Sequence, residues 1–242
     1  MRTTLPWLAV LCAISAQNGA ARPVITDWFP ATDAVANAAV APSLHSDQAA
    51  LNEMLRGSKG TLQYWTAAPE LVILVSVMDY RGDGSDSIAT PEQLTDAEAD
   101  ALEADLTGAL RLLTGDTYPQ FAAIHRESVA VGERTKMSRP GQIVVGRYSG
   151  LRRLRNTIGF GGRAARPDGR ISGGAVLLDR DYDQTSGLRR LLRTHELGHA
   201  LGFNHVQSQT SIMNASIGPE LTAFDRIAVR IAFDQTHTRS AN

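Results

Sequence analysis

The fold of this 242-residue chain follows from the stretch His195-Glu196-Leu197-Gly198-His199-Ala200-Leu201-Gly202-Phe203-Asn204-His205, which has the pattern H-E-x-x-H-x-x-G-x-x-H. On a helix, His195 and His199 lie one turn apart on the same face, so both imidazoles can reach one metal ion. Glu196 is rotated by about 100° from His195, so it stands beside the metal rather than binding it. There it can take a proton from a water molecule that the metal activates.

The second half of this stretch supplies a third ligand. Gly202 tolerates a left-handed turn, so the helix can end there and the chain can reverse. His205, three residues later, can then approach the same ion. Three imidazoles suit zinc and leave a fourth position open. A competing third ligand is Glu220, which lies 21 residues after His199, but an acidic residue before a helix needs no metal to explain it.

These residues resemble the metzincin clan of zinc endopeptidases. The clan also has a methionine in a tight turn beneath the metal, and Ser211-Ile212-Met213-Asn214 fits this turn. The short separation of Met213 from His205 resembles the matrixin (matrix metalloproteinase) branch. The resemblance implies an α+β fold: a twisted mixed β-sheet with a long backing helix, an active-site helix and a small C-terminal subdomain after the zinc motif. It also implies Glu196 as general base, acting on a zinc-activated water.

The resemblance extends to a glycine-rich segment upstream of the motif. Residues 157–165 (TIGFGGRAA) correspond to the outer strand of matrixins, which pairs with the substrate backbone. The resemblance implies substrate-binding roles for Gly159, Phe160, Gly161 and Gly162. The alternative is that this segment is a plain glycine-rich loop and not a substrate-binding strand. Matrixins hold a second, structural zinc with histidines from this region and residues 169–179, and both segments lack histidine here. We therefore expect one catalytic zinc ion. Asp225 matches an aspartate that, in matrixins, ties the last helix to the methionine turn.

The N-terminus has the pattern of a secretory signal peptide. Residues 1–21 contain one charge, Arg2, followed by an apolar run too short to span a membrane permanently. We expect a secreted or periplasmic protein. Cys12, the only cysteine, lies in this segment, so the mature chain would have no disulfide. Residues 22–60 are either a removed pro-segment or an N-terminal arm packed on the domain, with a short helix over 46–56.

Hydrophobic patterns predict the elements of a catalytic domain over residues 61–235, followed by a flexible polar tail at 236–242. The apolar run at 71–79 predicts one buried strand. A helix is expected over 91–114, and further strands over 124–131 and 142–148. The apolar stripe of the helix over 91–114 comprises Leu94, Ala97, Ala101, Leu102, Leu106, Leu110 and Leu113.

Two more helices complete the prediction. The active-site helix should start near Thr185 or Ser186, with Leu188, Leu191 and Leu192 on the metal-binding face, so that face is the core face. The arginines between these positions then fall on the solvated side; they are Arg189, Arg190 and Arg193. A last helix should cover 221–234. Its inward residues are expected to be Phe224, Ile227, Ala228 and Ile231.

Composition excludes some functions and leaves others open. The formal net charge is −1, and there is no basic patch of the kind that binds nucleic acid, nor a later segment apolar enough for a stable membrane span. The acidic loop at 81–87 could hold calcium, but a solvated turn is the simpler interpretation. The predicted function is a secreted zinc endopeptidase acting on a protein or peptide substrate. The alternatives are a zinc amidase on a non-protein amide and a zinc-binding module with little turnover.

Overall fold

The computed structural model describes residues 12–15, 44–56, 60–82 and 84–240, of which 12–15, 44–46 and 234–240 are described by their backbone alone. These residues form an α+β fold with one mixed sheet and helices packed against it. The predicted α+β class is thus confirmed. The predicted signal peptide falls outside the described residues except for Cys12–Ser15. Among the described residues, no helix combines the length and apolarity needed to cross a membrane.

The sheet is built around four parallel strands and ends in an antiparallel edge. Its strand order is β1-β7-β8-β6-β2-β5, and β3 pairs with both β4 and β6 beside this path. Strands β5, β2, β6 and β8 run parallel, whereas β7 is antiparallel to β8 and pairs with the short β1 on its other side. The strands are β1 Cys12–Ser15, β2 Glu70–Leu74, β3 Ser76–Asp79, β4 Ile88–Gln93, β5 Ile124–Glu127, β6 Gln142–Ser149, β7 Thr157–Ala165 and β8 Ile171–Asp179.

Four of the helices bury residues in the larger of the two core clusters, whereas the short helix that starts at Leu151 buries this residue in the smaller cluster. The helices are α1 Leu44–Arg56, α2 Asp96–Thr114, α3 Leu151–Arg155, α4 Arg180–Thr185, α5 Arg189–Leu201 and α6 Ala223–Ser240. Helix α2 packs along α5, which lies on β7 and β8. The predicted edge strand over residues 157–165 therefore has its expected bounds, and it lies directly beside the helix with the histidine motif.

The predicted single strand over residues 71–79 is interrupted. It divides at Val75 into β2 and β3, because the backbone of this residue serves two different neighbours. Its N–H donates to Glu127 O at 2.9 Å, and its carbonyl accepts the Leu94 N–H at 2.8 Å. Strand β2 pairs with β5, while β3 pairs with β4. A continuous apolar run gives no sign of this change of partner.

The long helix starts later than predicted, and residues 88–93 form strand β4 instead. A capping box marks the true start: the Thr95 hydroxyl accepts the Glu98 N–H, and the Glu98 carboxylate accepts the Thr95 N–H. Ala97 and Ala101, predicted on the buried stripe, are exposed. The buried face of α2 comprises Ala99, Leu102, Leu106, Ala109, Leu110, Leu113 and Thr114.

The segment before the histidines also differs from prediction. It forms two helices, α4 and α5, and Leu188 between them is 51 % exposed rather than on the core face. Arg193, predicted to be solvated, is buried because its guanidinium meets two acids. Its Nε and Nη2 donate to Asp183 at 2.7 and 2.8 Å, and Nη1 donates to Asp105 at 2.7 Å. These acids lie on α4 and α2, so the spacing within α5 could not reveal them.

The terminal helices are both part of the main core. Helix α1 buries Ala50, Leu51, Met54 and Leu55 in the same cluster that contains the centre of the sheet. Helix α6 continues to Ser240, beyond the predicted end at residue 234 and into the segment expected to form the tail. Its predicted inward residue Ile227 is 52 % exposed. Among the described side chains of α6, the buried apolar ones are Ala228, Val229, Ala232 and Phe233.

Candidate metal centre and its surroundings

Helix α5 carries the first two histidines of the motif, and a sharp chain reversal brings in the third. The helix ends at Gly202, whose φ of 125° is unfavourable for residues with a side chain. A Cβ atom there would also lie 2.5 Å from the carbonyl oxygen of Gln63. The chain therefore turns back as predicted, and it returns His205 to the side chains of His195 and His199.

The three imidazoles point one nitrogen each at a common centre. The Nε2 atoms of His195 and His199 are 3.1 Å apart, those of His199 and His205 are 3.1 Å apart, and those of His195 and His205 are 3.2 Å apart. Within the part of the chain that is described, this is the group of side chains with the spacing of a metal site. The three histidines are close enough to bind one metal ion.

Backbone carbonyls fix the orientation of the two helical ligands. Nδ1 of His195 lies 2.6 Å from Ile212 O, and Nδ1 of His199 lies 2.9 Å from Phe203 O. A carbonyl oxygen can only accept a hydrogen bond, so each Nδ1 must carry the proton. The lone pair of each ring is therefore on Nε2, facing the common centre. Such outer contacts are a regular feature of histidines that bind metals.

Burial keeps the imidazoles neutral. It lowers the pKa of His195 to about 4, and the hydrogen bond to Ile212 only partly opposes this effect. Burial also lowers the pKa of His199 well below its ordinary value and lowers that of the half-buried His205. A neutral imidazole is the form that binds a metal ion, so these shifts favour the metal-binding form of the three side chains.

Glu196 lies beside the cluster with a free carboxylate. The residue is 0 % exposed, and neither carboxylate oxygen has a hydrogen-bond partner among the described residues. Burial raises its pKa well above the ordinary value. The nearby backbone amide of Gly161, which does not reach the geometry of a hydrogen bond to the carboxylate, opposes this rise only in part. A buried carboxyl group without partners costs free energy, and a raised pKa of this kind is common among groups that transfer protons.

The four residues predicted to bind substrate divide between the two faces of β7. Gly159 and Gly161 face α5. A Cβ added at Gly159 would lie 2.4 Å from Oε1 of the Glu196 carboxylate, and one added at Gly161 would lie 2.2 Å from the Glu196 carbonyl oxygen. Phe160 and Gly162 face the other way and line a pocket with Leu177. The glycines therefore allow the edge strand to lie directly against the helix that carries the candidate base.

The turn that contains Met213 lies against α5, next to His195. Met213 is buried, and its sulfur would lie 2.6 Å from a Cβ added at Gly198 of α5. Asp225, at the start of α6, accepts hydrogen bonds from the Ser211 hydroxyl and, at 3.0 Å, from the Ile212 N–H. The Ile212 carbonyl in turn orients His195. Asp225 thus joins α6 to the turn, as the resemblance implied.

The alternative ligands that the sequence offered lie apart from this centre. Glu220 is exposed and does not belong to the cluster of possible metal ligands. Around the acidic loop at 81–87, Asp86 pairs with Arg134 at 3.2 Å, and no acidic group with metal-ligand spacing forms among the described residues there.

Sequence reasoning missed two polar residues that support the site, Arg163 and Asn204. Arg163 is 7 % exposed, and its guanidinium donates to Asn204 Oδ1 at 2.8 Å. The alternation of side chains along a β-strand could have revealed Arg163, since this residue lies on the same face of β7 as Gly159 and Gly161 and therefore points toward α5.

Comparison with known proteins finds no family model that matches the chain and no curated protein that matches it.

Proposed function

We propose that this protein is a zinc-dependent endopeptidase of the metzincin type, with its nearest resemblance to the matrixin branch. One observation carries the proposal: the Nε2 atoms of His195, His199 and His205 converge with separations of 3.1–3.2 Å. Zinc–nitrogen distances of about 2.0–2.1 Å at tetrahedral angles require nitrogen separations of roughly 3.3 Å. Three neutral imidazoles are a donor set that zinc accepts, and they leave a fourth position for water or substrate.

A zinc ion in this site would supply Lewis acidity, polarising a substrate carbonyl and making a water molecule more acidic. The proton must then go to a group of the protein, and Glu196 is the proposed acceptor. Its carboxylate is buried next to the first ligand and has no competing partner among the described residues. A carboxyl group with a raised pKa can accept a proton from water and later donate it to the leaving nitrogen.

The edge strand β7 supports a peptide as substrate. The chain's own residues Cys12–Ser15 form strand β1, which pairs antiparallel with β7 and places Cys12 opposite Gly161. This edge can therefore accept an extended strand beside α5, as a bound peptide would require. A strand edge that takes up an extended chain favours an endopeptidase over an amidase that acts on a small molecule. Because β1 lies in the predicted signal peptide, we propose that export and cleavage free this edge.

The proposal can be tested by expressing the full chain with its own N-terminus and recovering it from the periplasm or medium. N-terminal sequencing would locate the predicted signal cleavage, and elemental analysis should find about one zinc per chain. Incubation with a mixed peptide library should yield internal cuts, detected by mass spectrometry. A chelator should abolish the cuts, and added zinc should restore them. Zinc binding without cuts would instead support a binding module, and hydrolysis of small amides alone would support an amidase.

A further inference from the structure

A buried arginine on the edge strand reaches the chain reversal between the second and third histidines. Arg163 of β7 extends past the end of α5. Its Nη1 donates to His199 O at 2.9 Å and to Phe203 O at 3.1 Å. Its Nη2 donates to Asn204 Oδ1 at 2.8 Å, and its Nε donates to the side chain of Gln63. A cation is favourable here because the last carbonyls of a helix have a partial negative charge.

Asn204, the residue directly before His205, is held from two sides. Its N–H and its Nδ2 donate to Met54 O at 2.8 and 3.0 Å. Its Oδ1 accepts from Arg163. The residue is thereby fixed between α1, which ends shortly after Met54, and β7. This leaves little freedom in the direction by which the chain enters His205.

One carbonyl links Arg163 to the second histidine as well. Phe203 O accepts both from Arg163 Nη1 and from Nδ1 of His199. The guanidinium thus holds in place the group that orients His199, while its contact with Asn204 restrains the backbone before His205. No contact between Arg163 and the metal-facing nitrogens is needed for this effect.

We propose that Arg163 is a positioning residue of the metal site, which acts with Asn204 to hold His199 and His205 in their converging geometry. The inference rests on the proposed zinc site. Replacing a contact outside the ligands typically lowers metal affinity ~10–100-fold. Arg163→Gln should therefore weaken zinc binding by about that factor. Arg163→Lys should recover part of it, because lysine keeps the charge but cannot donate to all of these oxygens from a planar group.

The test measures the zinc dissociation constant of the full chain by competition with a coloured chelator. The matched control is Arg170→Gln, since Arg170 is half-exposed at the turn before β8 and pairs with Asp168. The zinc affinity of this control variant should equal that of the wild type. The cobalt-substituted proteins provide a second measurement. The visible cobalt spectrum should change in Arg163→Gln and stay unchanged in Arg170→Gln, because that spectrum reports the geometry of the ligands.

A second variant keeps the test decisive if Arg163→Gln does not fold. Asn204→Ala removes the other half of the contact, and it should lower zinc affinity and change the cobalt spectrum in the same direction. Wild-type affinity and an unchanged spectrum in a folded Arg163→Gln or in Asn204→Ala would overturn the inference. Failure of the wild-type protein to bind zinc at all would instead overturn the proposed function, so the two failures can be told apart.

Discussion

Adding a single methyl group to β7 should have three different effects, depending on the glycine that receives it. At Gly161, an added Cβ would lie 2.2 Å from Glu196 O and 2.7 Å from the Cβ of His199. Neither atom can move without the α5 backbone. At Gly159, the nearest atoms are Glu196 Oε1 at 2.4 Å and Leu192 Cδ1 at 2.6 Å, both at the ends of side chains. At Gly162, nothing lies within 4 Å.

These distances determine the expected magnitudes. Carbon atoms pack at about 3.5–4.0 Å, so Gly161→Ala must move β7 from α5 by more than ~1 Å. Overpacking of this kind costs about 1–3 kcal/mol. The upper value applies here because the clash involves backbone atoms. For a domain of this size, 3 kcal/mol corresponds to a fall in Tm of roughly 6–12 °C.

The other two variants separate stability from activity. Gly159→Ala should cost less stability, because side-chain ends can move aside. The displaced Glu196 carboxylate should nevertheless lower peptide hydrolysis about 10²-fold or more, as expected for a catalytic group misplaced by ~1 Å. Gly162→Ala is the matched control, and its free energy of unfolding should stay within about 0.5 kcal/mol of the wild type.

The assays are thermal and denaturant unfolding together with peptide hydrolysis under one set of conditions. Equal stability of the Gly161→Ala and Gly162→Ala variants would refute the packing of β7 against α5. Full activity in Gly159→Ala would refute the placement of the Glu196 carboxylate.

Two further predictions concern the third ligand and an acidic cap. His205→Ala should lower zinc affinity by orders of magnitude, whereas the exposed Glu220→Ala should retain full zinc content and change stability by at most ~1 kcal/mol; the reverse pattern in a metal-retention assay would reassign the ligand. The pKa of Glu98 is lowered to about 2, because hydrogen bonds from Thr95 and Arg147 outweigh the opposing effect of burial. A carboxyl group with a depressed pKa stabilises the fold above its ordinary pKa and loses this effect as the pH falls. In the metal-free protein, the stability lost in Glu98→Gln should therefore be largest above about pH 5 and shrink toward pH 3, and a pH-independent loss would count against this explanation.

The convergence of the three histidines was predictable because its information is local. The spacing of His195 and His199 on one helix, the break at Gly202 and the position of His205 depend on short-range geometry that a sequence pattern records directly. The strand over residues 157–165 was instead predicted from the family resemblance, because its residues alone left a glycine-rich loop open.

Features that depend on distant partners were not predictable in the same way. Arg193 resembles a surface residue in its own helix, and only the folded chain brings Asp183 and Asp105 to it. The interruption of the strand at Val75 likewise depends on hydrogen bonds to Leu94 and Glu127. By contrast, the capping box at the start of α2 was visible as T-x-x-E at Thr95. It was missed because the apolar pattern upstream was assigned to the helix.

The central claim is most directly tested by Glu196→Gln, which keeps the size of the side chain but removes its ability to accept a proton. The zinc content and the cobalt spectrum should match the wild type, because the three histidines are unchanged. Peptide hydrolysis should fall by about 10²–10⁴-fold, the usual contribution of a general base. Wild-type hydrolysis by the zinc-loaded Glu196→Gln protein would contradict the account.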